Sequence, residues 1–347
     1  MKRAFFILIT FALCTACSKN QDVQKNDSCI VNITTSIEDG SVQTKAYDFG
    51  DNDQYGIFVC MNGSTTARHK SNSWNMRARY YYGNWYYYYL RDQSGSGNTS
   101  DTPYEHLTLT AREDGVTADL YAYAPYNIDA YSSGPAAVPF TLGPDYMYAV
   151  ENTYPESDPL SNKGLDPSAS SGVQSAQFTF RHIFSKLFFR FRLKNTPSNY
   201  TVYKIIVYLR DPDGDGNTTA HIYTNGTFNI TTGNINAGAT PRDSLIWNIS
   251  YPYLVVNSTT NYNEAYIYMV PTDVADDELE VQFVIEDQTT KPFKIKREYL
   301  LHNDGVTYGF QAGYRYYFDF TIDNYVYFDG FTISDSWDSD ELGSQEI

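Results

Sequence analysis

The stretch that most constrains the fold runs from Gln177 to Asn195, QFTFRHIFSKLFFRFRLKN. In its second half Leu187, Phe189, Phe191 and Leu193 alternate with Lys186, Arg190, Arg192 and Lys194, and Phe188 is the exception. A period of two with one apolar and one charged face specifies a β-strand whose inner side is buried and whose outer side meets water. The stretch follows a polar, loop-like run near the middle of the chain, which reads as the first strand of a second β domain. The length of 347 residues suits two domains.

Composition points the same way. Aromatic residues make up 16% of the chain and tyrosine alone accounts for 33 positions; aromatics favour strands, and few segments show a helical period. The expected class is all-β, with two cores. The formal charge of −16 argues against nucleic acid and against electrostatic adhesion to anionic lipid.

The amino terminus carries a targeting pattern. Lys2 and Arg3 precede an apolar run from Ala4 to Leu13, too short for a stable membrane span, and Cys14-Thr15-Ala16-Cys17 follows. Small residues before a cysteine resemble the bacterial lipobox, although Leu13 lies four positions before Cys17 rather than three. The pattern predicts a signal peptide over 1–16, acylation of Cys17 and a tether over 17–28; an ordinary secretory signal is the alternative. Cys29 to Ile37 then reads as a strand with Cys29, Val31, Ile33 and Ile37 on one face, broken by Glu38-Asp39-Gly40-Ser41. Cys29 and Cys60 are either a disulfide of an exported protein or two separate buried thiols.

Arg79 to Leu90, RYYYGNWYYYYL, predicts a hairpin turning at Gly83-Asn84. Tyr81, Tyr82, Trp85, Tyr86 and Tyr87 are candidate contacts for sugar or for a partner surface, because each ring has an apolar face and most have a polar tip; cross-strand pairing that holds the hairpin is the structural alternative. Residues 128–175 read as a long irregular excursion, which divides the chain into domains at 29–175 and 176–347. In the second part Tyr203, Ile205, Val207 and Leu209 alternate, as do Leu279, Val281, Phe283 and Ile285. Asp211, Asp213 and Asp215, with Gly216 at the sixth position, match the opening of a calcium loop, but Ile222 stands where the bidentate Glu belongs, so a polar turn is the simpler account. No nucleophile elbow, zinc motif or phosphate loop occurs, and the five histidines are scattered. The chain is read as a non-enzyme without a cofactor, and His182 as a core or interdomain histidine satisfied by a hydrogen bond.

Several segments, in order, resemble the fimbrillin-type lipoproteins of Bacteroidetes. They are Phe180-Arg181-His182-Ile183-Phe184-Ser185-Lys186-Leu187, the "D-x-x-G" strand Asp53 to Val59, Leu120 to Asn127, Tyr266 to Pro271, Gly313 to Phe320, and Phe331-Thr332-Ile333 with Trp337. The resemblance implies two tandem transthyretin-like β-sandwich domains, an outer-membrane lipid anchor and assembly with other fimbrial subunits at the cell surface. It also implies a maturation cut between Lys45 and Ala46, where the family carries Arg; a surface lysine in a loop is the alternative. The strand Cys29 to Ile37 then leaves, and a strand from a neighbour, drawn from Tyr325 to Ile333, takes its place. A Cys29–Cys60 disulfide would prevent that departure. The alternative is a surface lipoprotein that does not polymerise and holds glycan through the tyrosine hairpin.

Overall fold

The computed structural model describes residues 27–37, 51–70, 73–89, 102–149, 161–169, 171–195, 198–209, 221–274, 279–302 and 304–334. Cys17, Lys45, Ala46, Asp211, Asp213, Asp215 and Trp337 lie outside them. Among the described residues the regular structure is almost entirely strand. Its first half forms β1 (Ser28–Ile37), β2 (Gln54–Met61), β3 (Met76–Tyr81), β4 (Asn84–Tyr88), β5 (Leu107–Thr110), β6 (Ala118–Ala124), a single helical turn α1 (Ala130–Ser133), β7 (Val138–Thr141), β8 (Met147–Ala149) and β9 (Val173–His182). The second half forms β10 (Ser185–Leu193), β11 (Tyr200–Leu209), β12 (Asn225–Phe228), β13 (Ile235–Ala237), β14 (Ser244–Asn248), β15 (Leu254–Val256) and β16 (Asn263–Met269). It ends with β17 (Leu279–Ile285), β18 (Gln288–Thr289), β19 (Phe293–Ile295), β20 (Arg315–Ile322) and β21 (Val326–Ser334).

Eight strands of the first half make one sheet in the order β4-β3-β2-β6-β8-β9-β1-β5. The sheet curls until its ends meet. Tyr87 and Tyr104 exchange two backbone hydrogen bonds, at 2.8 and 3.0 Å, which join β4 to the residues leading into β5. Curling removes exposed edges and encloses a core of Val31, Tyr55, Ile57, Val59, Leu107, Leu120, Phe178 and Phe180. Gly56, in the "D-x-x-G" segment, has a steric role: a Cβ there would meet the Tyr123 ring at 2.2 Å. That ring is fixed in turn, its hydroxyl lying 2.7 Å from Asn75 Oδ1 and 2.8 Å from the Asn127 carbonyl.

The second half is a two-sheet sandwich. One sheet runs β16-β10-β20-β21; the other runs β14-β11-β17-β18, with β15 on β11 and β19 on β17. Parallel register places Phe189 beside Phe318 and Phe191 beside Phe320, and both pairs stack, at 5.2 and 5.5 Å between ring centroids. Phe283, from the facing sheet, meets Phe191 and Phe320 edge-on at 5.0 and 4.7 Å. The outer face is a lattice of cations on rings. Arg190 makes a two-pronged ion pair with Asp319, at 2.6 and 2.8 Å, and Lys186 Nζ sits 3.8 Å from the centre of the Tyr266 ring. This arrangement explains Phe188. It points outward yet is only 5% exposed, because it stacks on Tyr317 at 4.9 Å under Lys186 and Arg315.

The structure differs from the sequence expectation in four places. Gln177 to Asn195 is not one strand: β9 pairs with β8 and β1 and belongs to the first sheet, whereas β10 opens the second sandwich. The passage between the halves therefore falls at Ile183–Phe184, not near residue 175. The excursion 128–175 contains α1, β7 and β8; β7 pairs with β12 of the second half, and a third core forms there around Phe140, Tyr146, Phe184 and Phe228. The halves are thus joined by a shared sheet as well as by sequence. In β11 a bulge between Val202 and Lys204 turns Val202 inward and removes Tyr203 from the buried face. In the aromatic hairpin the turn residues are Tyr82 and Gly83, both at positive φ (48° and 80°), while Asn84 pairs with Tyr81.

Two outcomes follow from this packing. Phe283→Ala removes the ring that bridges both stacked pairs and should lower stability by about 3–5 kcal/mol, read as a shifted midpoint in urea unfolding. Burial pushes the Cys29 thiol up to about 11, and Cys60, Tyr87 and Tyr121 up to about 12, from ordinary values of 9.0 and 10.0. Above about pH 9 the unfolded chain sheds these protons first, so it binds fewer protons than the native state and stability falls as pH rises toward 12. Urea midpoints should be lower at about pH 10.5 than at about pH 7.5.

Candidate functional site

The first strand occupies an interior slot. β1 pairs in parallel with β9 over Ile30–Ile37 and antiparallel with β5 over Ser28–Val31. A strand in that position holds two neighbours together, so its departure opens two ladders at once. Yet β1 is shallowly anchored. Cys29 and Val31 are its fully buried residues, and Ile33 and Ile37 are half-buried. It carries no charged side chain, and its side-chain bonds are Ser36 Oγ to Thr179 Oγ1 at 3.3 Å and Gln174 Nε2 to Cys29 Sγ at 3.3 Å.

The cysteines do not hold β1 in place covalently; both are free thiols. Cys29 faces the core inside the curled sheet, whereas Cys60 on β2 belongs to the third core on the opposite face. Strands β6, β8 and β9 lie between them. Of the two alternatives the sequence leaves open, the structure shows the separate thiols.

The aromatic hairpin lies across the closure from β1 and is partly structural. Tyr87 is 3% exposed and lies in the core. Trp85 packs edge-on against Tyr55 at 4.5 Å and Tyr80 at 5.1 Å. Tyr81 and Tyr82 reach solvent, at 41% and 74% exposure, with ring centroids 4.2 Å apart, and Asp51 Oδ1 accepts the Tyr82 N–H at 3.0 Å. Of the five candidate contacts, Tyr87 is therefore buried and Trp85 and Tyr86 are half-exposed. Between β4 and β1 lies a cavity of about 490 Å3, lined by Val31 to Ile33, Gly83 to Tyr87, Glu105 and His106. Sequence reasoning did not find Asn32, Glu105 or His106. Asn32 lies on the exposed face of β1, Glu105 and His106 fall in a polar segment with no periodic signal, and the closing of the sheet brings them together.

At the other end of the chain β21 forms an edge, paired with β20 alone. None of its residues is fully buried. A bulge at Asp329–Gly330 aims Asp329 at Thr321 and at Arg192, the latter at 3.2 Å. Three of the five histidines sit in structural settings. His182 Nδ1 lies 2.8 Å from Asp145 Oδ2, His302 Nε2 is 3.0 Å from the Gly309 carbonyl, and His69 Nε2 is 3.1 Å from the Val116 carbonyl, with burial lowering its pKa. Among the described residues no three His, Cys, Asp or Glu side chains converge as a metal site.

A thiol reagent reports on the seating of β1. In residues 18–347, Cys29 and Cys60 are the cysteines present. Buried Cys29, its thiol pushed up to about 11, should react far more slowly in the native chain than in the unfolded chain at the same pH. When β1 detaches, Cys29 should label while Cys60 stays protected, as peptide mapping of the alkylated protein would reveal.

Comparison with known proteins agrees with this architecture. The family model described as fimbrillin-like matches residues 42–337. A candidate cell adhesion protein from Bacteroides ovatus is similar in structure at 17% identity and a TM-score of 0.55, covering 90% of this chain and 99% of the other. Candidate cell adhesion proteins from Bacteroides uniformis and Bacteroides fragilis are similar at 16% and 12% identity, with TM-scores of 0.53 and 0.51. Each covers 90% of this chain, over 100% and 99% of its own length respectively. No curated protein matches in sequence.

Proposed function

The chain belongs to the fimbrillin-like family, and from that membership we propose that it is a fimbrial subunit exported as a lipoprotein and assembled by strand exchange. The lipid is carried by Cys17, which holds the precursor at the outer membrane. Cleavage between Lys45 and Ala46 frees the segment that contains β1. A strand from the next subunit then fills the slot between β9 and β5, restoring buried apolar contacts and both hydrogen-bond ladders together. The role is mechanical and adhesive and needs no cofactor.

The observation that carries this reading is the setting of β1. It is interior to the sheet, so its loss leaves an acceptor slot with two flanking strands. It has two fully buried residues and no disulfide, so it is a removable part of the fold. The donor is assigned to Tyr325–Ile333. That segment lies at an edge, is at most half-buried, and has Val326, Phe328, Phe331 and Ile333 packed on the core, which supplies the apolar side chains that a receiving groove requires.

Limited trypsin digestion of residues 18–347, followed by mass spectrometry and size-exclusion chromatography, tests the cleavage step. The expected result is a cut after Lys45 followed by higher-order assemblies. A cut chain that stays monomeric would overturn polymerisation by strand exchange. Truncation after Ile322 tests the donor: the shortened chain should fold but remain monomeric after the cut, and normal polymers from it would remove the donor assignment.

A further inference from the structure

We propose that the cavity between β1 and β4 binds a neutral saccharide unit, and that β1 supplies part of the site. Its floor and rim differ in chemistry. Ile33 and Trp85 pack against the core and form an apolar floor, while Asn32, Glu105 and His106 are exposed at the rim and Tyr86 is half-exposed. A sugar ring has the matching character, with an apolar C–H face for an aromatic ring and an equatorial belt of hydroxyls for amide, carboxylate and imidazole groups. The volume of about 490 Å3 falls in the range of roughly 300–1,000 Å3 typical of small-ligand sites.

The lining also argues against other ligand classes. It contains no lysine or arginine and includes Glu105, on a chain of formal charge −16, so an anionic ligand would meet repulsion with no ion partner. An apolar ligand would bury the Asn32, Asn84 and Glu105 polar groups without replacing their water. An extended peptide would have to add to the edge of β1 that β5 leaves unpaired, Asn32 to Ile37. Here Glu105 and His106 lie in the gap next to Val31 to Ile33, and the nearby Tyr87–Tyr104 bridge already ties β4 to this segment.

The composition of the wall has a consequence that rests on the strand-exchange reading. Asn32 and Ile33 belong to β1, so the cavity exists in this form while β1 is seated and is dismantled when β1 leaves. A ligand that touches both β1 and β4 stabilises the seated state by mass action and therefore slows release of the strand. Sugar binding by the uncut chain is independent of polymerisation, so the two readings fail separately.

The test uses uncut residues 18–347 and the methyl glycosides of glucose, galactose, mannose, fucose and N-acetylglucosamine, with titration calorimetry and saturation-transfer NMR. At least one glycoside should bind, and Asn32→Ala and Glu105→Gln should each weaken it at least tenfold with the far-ultraviolet circular dichroism unchanged. Both side chains are exposed, so neither replacement should disturb folding; should one do so, the other still decides. Binding by none of the five, binding that survives both replacements, or displacement of the sugar by a strand-forming peptide would overturn the proposal. For the coupled effect, the bound glycoside should slow Cys29 alkylation, and an unchanged rate would overturn that part.

Discussion

The structure of the first half depends on one hydrogen-bond ladder, the parallel pairing of β1 with β9 over Ile30–Ile37. Antiparallel hairpins such as β3–β4 are held by their own short turns, but β1 and β9 are distant in sequence and meet through tertiary structure alone. Their pairing, extended by β5, brings the far end of the sheet within reach of β4, where the Tyr87–Tyr104 bridge closes it. A strand in this position is the means of closure. It has few buried side chains, no charge and no covalent tie. In the proposed assembly, stability of the monomer and readiness for strand exchange would reside in the same ten residues.

The second half solves burial differently. Two sheets face each other across stacked phenylalanines whose spacing is set by the parallel β10–β20 register, with Phe283 locking the stacks from the opposite sheet. Cations lying on aromatic rings cover the outer surface, so an apolar residue such as Phe188 is shielded without a third layer. The β7–β12–β13 sheet and the core around Phe140, Phe184 and Phe228 join this sandwich to the first sheet. In the proposed assembly, such a join would let load pass from one half to the other through packed side chains as well as through the peptide at Ile183–Phe184.

Legibility followed the range of the interactions. The alternation in β10 and β17 predicted the buried faces correctly for Leu187, Phe189, Phe191, Leu193 and the β17 series, because one residue type on one face is a local signal. The aromatic hairpin was legible as a hairpin, and its turn was misplaced by one residue because Tyr82 adopts a positive φ that its side chain does not advertise. The bulge in β11 was invisible for a similar reason, since an inserted residue changes the phase of a pattern without changing its composition. Of the candidate site, the strand character of β1 could be read from sequence; which of the five hairpin aromatics reach solvent, and the proximity of Asn32, Glu105 and His106, could not.

Local patterning carried the all-β class, the buried faces of β10 and β17 and the family, because period-two alternation and spaced motifs are properties of neighbouring residues. Only the tertiary structure decided which sheet each strand joins. β9 and β10 are adjacent in sequence and alike in pattern, yet they close different sheets, and β12 leaves its own half to pair with β7. Strand patterning specifies which side of a strand is buried but not the partner across the ladder. That choice is made by the competing ways of satisfying backbone N–H and C=O groups over the whole chain.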